Sequence, residues 1–190
     1  MKAGGRKALT RFSVPAQWKR MMTRTLVIGF GNLDRADDGV AFHVVNAFRR
    51  RLGQAALEED NTGLEELGNP ADSVFIGQLV PEMMDLLEGY DRVVFVDAHV
   101  DPALEDLYCA AVSPDEAGLT FTHHMSPATL LAFFKALNGR DIEGHLVSIR
   151  GSDFDFLRDL SPETIALVEP AVDRIVNLLS DASSCPPGNS

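Results

Sequence analysis

Three short stretches of this chain carry side chains able to do chemistry together. "GFGNLDRADDG" (29–39) ends in adjacent carboxylates, Asp37 and Asp38; "VVFVDA" (93–98) delivers Asp97; and "FTHHMSP" (121–127) carries His123 and His124. Two carboxylates and one imidazole form a mixed oxygen and nitrogen set suited to a divalent ion such as nickel or zinc. Three such ligands leave coordination positions open for water or a partner's group. Two acids crowded into one crevice also repel each other unless a cation neutralises them. Taken singly, each group has a plainer explanation. An aspartate at a helix start meets free N–H groups and a favourable dipole. Asp97 could end its strand in an Asx-turn, and a loop histidine is usually just solvated. The metal reading therefore depends on all three stretches reaching one place.

The elements around them supply a way. Five segments read as strands by β-branched content and flanking turn residues: 25–29, 73–79, 92–98, 107–112 and 145–150. Helical patterns alternate with them. One follows the double aspartate through Val40, Val44, Val45 and Phe48, and a short one spans 81–90. Two more open on Ser-Pro pairs, Ser126–Pro127 and Ser161–Pro162; Gly139 closes the first, and Pro170 is expected to kink the second. The acidic, weakly patterned 53–72 segment reads as a surface insertion. Such alternation means an α/β domain with a mostly parallel sheet and helices on both faces. Ligands of these sheets bind outside the carboxyl ends of the strands, which is where all three chemical stretches fall. A nucleotide site is the rival. Gly29 and Gly31 match the opening of G-x-G-x-x-G, but Asp34 takes the third glycine position, and two acids at the helix start would repel a pyrophosphate.

Length and composition bound the rest. At 190 residues, 45% apolar and 24% charged, the chain suits one ordinary globular domain. No apolar run approaches the length of a membrane span. Residues 1–24 carry seven Lys/Arg and no acid, whereas the remainder carries ten bases against 28 acids. An acidic body argues against a nucleic-acid partner. The expected organisation is a basic extension over 1–24, disordered or a non-native start, a domain over 25–181, and a disordered tail over 182–190. Cys109 is expected to be a buried free thiol and Cys185 to lie in the tail, which fits a reducing, cytoplasmic setting.

Four stretches together, "GFGNLDRADDG", "QLVPEMMDLLEGYDRVVFVDA", "THHMSPATLLAFFKAL" and "LSPETIALVEPAVDRIVNLL", resemble the nickel–iron hydrogenase maturation proteases from about Thr25 to Leu179. The "QLVPE" segment resembles the branch that serves soluble bidirectional hydrogenases. The resemblance implies a three-layer α/β/α fold around a twisted, mostly parallel five-stranded sheet. It implies an endopeptidase that removes the C-terminal peptide of a hydrogenase large-subunit precursor after nickel insertion. By motif position the metal-contacting residues, which are also the catalytic set, fall on Asp38, Asp97 and His123. The ion is nickel brought by the substrate, and zinc or another divalent ion could occupy the same place. Gly29, Gly31 and Asn32 would shape the turn that a substrate segment approaches, with Asp37 left to cap the helix. Many relatives have glycine where this chain has Ala36 and Ala41, and a one-residue shift would make His124 the ligand. A nickel-sensing chaperone that does not cut, and a nucleotide-binding α/β module, stay open as alternatives.

Overall fold

The computed structural model describes residues 23–114, 125–180 and 185–186. Its elements, in chain order, are β1 (Thr25–Phe30), α1 (Val40–Arg51), β2 (Ala71–Ile76), α2 (Met83–Leu87), β3 (Arg92–His99), β4 (Leu107–Val112), α3 (Pro127–Asn138), β5 (Glu143–Arg150) and α4 (Pro162–Leu178). The strands form one sheet in the order β2-β1-β3-β5-β4. All neighbours run parallel except β4, which is antiparallel to β5. The expected α/β/α architecture is therefore the observed one. Because the chain leaves β1 first toward β2 and later crosses back to β3, the strand order reverses between β1 and β3. A crevice opens at such a reversal, and the loops that follow β1 and β3 border it.

Both sheet faces are covered. Val27, Val94, Val96, Val147 and Ile149 pack with the buried faces of α1 and α4, while Leu26, Ile28, Val93 and Phe95 pack with α2 and α3. Alternate residues of each strand thus feed opposite cores, which is why these strands read as unbroken apolar runs. The Ser-Pro openings act as expected. Ser126 Oγ accepts from the Thr129 N–H (3.1 Å) and Ser161 Oγ from the Thr164 N–H (3.3 Å). Gly139 closes α3 in the left-handed conformation. Helix α4 runs on through Pro170 to Leu178. Boundaries moved elsewhere: β2 begins two residues earlier than its apolar pattern suggested, and α2 shrinks to five residues.

The 53–72 segment is stitched down along the free edge of β2. Asn46 brackets Leu57 with two hydrogen bonds (2.7 and 3.2 Å), and the Phe75 N–H donates to the Thr62 carbonyl (3.0 Å). Buried Arg49 holds the same segment through Glu66 and the Ala55 carbonyl. At the other edge of the sheet the free-thiol expectation fails. Cys109 on β4 is disulfide-bonded to Cys185, with Cα atoms 5.5 Å apart, and the Ala111 N–H donates to the Pro186 carbonyl (2.8 Å). The polar residues around Cys185 hid a segment that covers an otherwise unpaired strand edge. The cytoplasmic expectation thereby loses the support it took from free thiols. The remaining positions of residues 1–24 and 182–190, apart from Thr23 and Arg24, lie outside the described residues. Thiol titration of the unreduced protein in denaturant is expected to find no free cysteine, and after reduction two.

Candidate functional site

The turn after β1 is built around a close approach. Gly31 has φ +147°, and a Cβ there would run into the carbonyl oxygen of Asp38. Only glycine lets the chain fold back this tightly. Asn32 then organises the turn: its side-chain oxygen accepts from the Asp34 N–H (2.9 Å), its carbonyl from the Arg35 N–H (3.1 Å). Its own N–H donates to Asp38 Oδ2 (2.9 Å). Gly29 has a different role, since a Cβ there would meet Val45 Cγ2 at 2.8 Å and the Ala41 carbonyl at 3.1 Å; it sets how closely α1 lies on β1. Ala36 sits at φ +44°, fully buried, in the left-handed region that alanine enters at a cost of about 1 kcal/mol.

The two aspartates of the pair have separate fates. Asp37 is completely buried and does not cap its own helix. Instead its carboxylate accepts from the Ser152 N–H (2.7 Å), the Asp153 N–H (2.9 Å), the Ser161 N–H (2.7 Å) and Ser161 Oγ (2.8 Å). Burial pushes its pKa up, but these donors outweigh burial and hold the group below its ordinary value. The expectation that Asp37 caps its own helix is not met; it accepts instead from Ser161, which is itself the N-cap of α4. Asp37 secures the turn after β5 and the start of α4.

Asp38 is half-buried, and its charge is felt by Asp97 near the end of β3. Among the described residues Asp97 accepts one hydrogen bond, from the Ala98 N–H (2.8 Å). Burial chiefly, then the negative charge of Asp38, pushes the Asp97 carboxyl up to about 7, against the single backbone bond that lowers it. The two carboxylates therefore sense each other across the β1/β3 crevice. Asp38 Oδ1 and Asp97 Oδ2 make no hydrogen bond among the described residues. A destabilised carboxylate pair with free oxygens is a donor set that a divalent cation would satisfy. His123 and His124, the third component, lie outside the described residues, and among those described no three metal-ligating side chains converge.

A groove of about 430 Å³ adjoins the turn that holds Asp38, bordered by Gly31 to Leu33, Glu59 to Thr62 and Phe75 to Gln78; neither Asp38 nor Asp97 lines it. Sequence reading missed the contribution of residues 59–62, because an acidic stretch without periodicity gives no sign of the edge it will cover. Gln78 was visible only as part of "QLVPE". A second unforeseen feature is a hydrogen bond between His99 Nδ1 and Ser148 Oγ (3.1 Å), brought together because β3 and β5 pair Asp97 with Ser148. Ser148 is 4% exposed, and among the described residues no carboxylate is hydrogen-bonded to His99, so the pair lacks both the access and the carboxylate of a serine-hydrolase triad.

The loop also decides against a phosphate. The N–H groups of Gly31, Ala36, Asp37 and Asp38 are bound to Ile76, Leu157, Asp153 and Arg35 carbonyls, while those of Asn32 and Asp34 serve side chains and that of Arg35 the Asn32 carbonyl. A cradle for pyrophosphate needs such amides free.

Replacing Asp37 with Asn keeps the shape but presents an NH₂ to N–H donors. About 2–3 kcal/mol of stability is expected to be lost at pH 7. Because the folded-state pKa is lowered, that stability exists above the unfolded value of 3.8 and disappears as pH falls through the folded value. Chemical denaturation of both proteins should therefore show the gap closing in acid below that range.

No protein-family model and no curated protein matches this chain. Solved structures do. The hydrogenase maturating endopeptidase HybD from E. coli is 20% identical, with a TM-score of 0.59, over 82% of this chain and 91% of that one. The [NiFe] hydrogenase maturation protease HybD from Thermococcus kodakarensis is 22% identical, with a TM-score of 0.59, over 83% and 99%. The HycI protease of the same organism is 18% identical, with a TM-score of 0.57, over 86% and 99%. At these identities what is shared is architecture: the chain has the fold of the hydrogenase maturation proteases across most of its length.

Proposed function

We propose that this chain is an endopeptidase that removes the C-terminal peptide of a nickel–iron hydrogenase large-subunit precursor once nickel has been inserted. One observation carries the reading: the loops that border the sheet's reversal point bring Asp38 and Asp97 within Coulombic range of each other, and Asn32, whose N–H holds Asp38, lines an open groove. The shared fold and the ordered motifs agree with it.

In this reading Asp38, Asp97 and His123 hold the nickel that arrives with the substrate. Bound there, the ion supplies a positive charge that can polarise the scissile carbonyl or acidify a water. The protein's own residues do the rest. The Asn32 N–H fixes one oxygen of Asp38 and leaves the other for the ion. Gly31 keeps the groove floor low enough for the substrate backbone to approach. In a competing version the ion only positions the peptide, and a carboxylate of the site acts as the base. Cleavage then depends on nickel insertion because without the cation the two acids oppose the approach of a substrate held only by its peptide.

The nucleotide-binding alternative loses ground because the loop's amides are already spent. A nickel-sensing chaperone that never cuts uses the same residues and differs only in product.

Incubating nickel-loaded and nickel-free precursor with the purified protein separates these outcomes. Tail release is expected from the loaded precursor alone, falling about 100-fold or more in Asp38→Asn, Asp97→Asn and His123→Ala, with His124→Ala largely active. Equal release from nickel-free precursor would defeat the nickel dependence; binding without product would point to the chaperone. Metal binding should follow the Asp97 proton. Since the cation needs the carboxylate and the carboxyl titrates at about 7, calorimetric affinity for nickel should weaken about tenfold from pH 8 to pH 6. Asp97→Asn should flatten that slope.

A further inference from the structure

The loop after β5, residues 151–160, presents two adjacent apolar side chains to solvent: Phe156 at 83% exposure and Leu157 at 55%. Isolated exposed hydrophobics are ordinary on protein surfaces. These two differ because everything around them is fastened. Asp37 holds the Ser152 and Asp153 amides, and the Ala36 N–H donates to the Leu157 carbonyl (2.6 Å). The Arg35 guanidinium donates to the Phe154 carbonyl (3.3 and 3.1 Å) and lies 5.3 Å from the centre of the Phe156 ring. Arg158 pairs with Asp34 (2.7 Å) on the turn after β1 and with Glu59 (2.6 Å), itself on the wall of the groove. Gly151 leaves room for the Phe154 ring to fold back where a Cβ would strike it. The segment is thus a rigid projection continuous with the candidate site, and a pre-ordered apolar contact loses little entropy on docking.

Its surroundings indicate the partner. Asp155 and Asp159 flank the two side chains, are exposed, and carry no ion pair among the described residues. Arg158 beside Leu157 is engaged by Asp34 and Glu59, and Arg35 lies against the Phe156 ring, so Asp155 and Asp159 leave the rim with a net negative charge; such a patch complements an apolar recess edged by Lys or Arg. We propose that Phe156 and Leu157 form the docking patch by which this chain grips the folded body of its protein substrate, at a recess with a basic rim, while the segment to be cut lies in the neighbouring groove. This rests on the endopeptidase reading, since that reading supplies a folded substrate.

The test measures tail release and binding with full-length nickel-loaded precursor. Phe156→Ser with Leu157→Ser should raise KM about tenfold or more with kcat within twofold. Asp155→Lys with Asp159→Lys should raise KM and reduce its dependence on salt. Leu137→Ser, which removes an exposed apolar side chain near the end of α3 (72% exposed), should keep the wild-type KM. Thermal melting of each variant checks that the fold is intact. An unchanged KM in the Phe156/Leu157 variant of an active enzyme overturns the docking proposal alone. A wild type that neither cuts nor binds the precursor overturns the endopeptidase reading and this one with it. Concentration-dependent self-association that the same variant abolishes would assign the patch to a second copy and also overturn the proposal.

Discussion

Four hydrogen bonds converge on one buried carboxylate, and the arrangement of the functional rim depends on them. Asp37 accepts from two backbone amides in the turn after β5 and from the amide and hydroxyl of Ser161 at the start of α4. A buried anion without these donors would be costly, and four N–H or O–H groups without an acceptor would be costly too. Each side makes the other tolerable. The consequence is mechanical: the loop after β1 and the loop after β5, more than 110 residues apart in the chain, become one body. Asp38 inherits its position from that body, as does the projection carrying Phe156.

The contrast between neighbouring aspartates follows from the same accounting. Asp37 is buried, yet it stays charged because its oxygens are surrounded by donors. Asp97 is pushed up to about 7 chiefly by burial, with the charge of Asp38 adding to it and one donor among the described residues opposing it. Burial sets the cost of the charge, and the donors present decide whether that cost is met. One carboxylate is satisfied by the protein itself and serves structure. The other two each keep one oxygen that makes no hydrogen bond among the described residues. The same bonding explains why a glycine-rich turn at a helix start need not bind phosphate: its amides already have acceptors within the protein.

Both sheet edges are handled by segments that composition made unremarkable. The acidic 53–72 stretch lies along β2, and Cys185 with Pro186 lies along β4. In the first case this covering also forms a wall of the groove, so one segment both protects an edge and shapes a cavity.

The sequence by itself determined the layered architecture, most strand and helix locations, and the Ser-Pro helix starts; that Gly31 is required by the close approach of the Asp38 carbonyl emerged only in the fold. The former follow from local rules, namely alternation of apolar runs, capping geometry and backbone sterics, which act over a few residues. It also marked Asp38 and Asp97 through their place at strand ends. What it could not determine were relations between distant segments: that Asp37 holds Ser161 and the turn after β5 instead of capping α1, that Cys109 meets Cys185, and that residues 59–62 border the groove. Nor could it foresee that Asp97 would keep its proton to neutrality. Each of those depends on which groups the fold brings within hydrogen-bonding or Coulombic range, and that range is set by three-dimensional packing, not by separation along the chain.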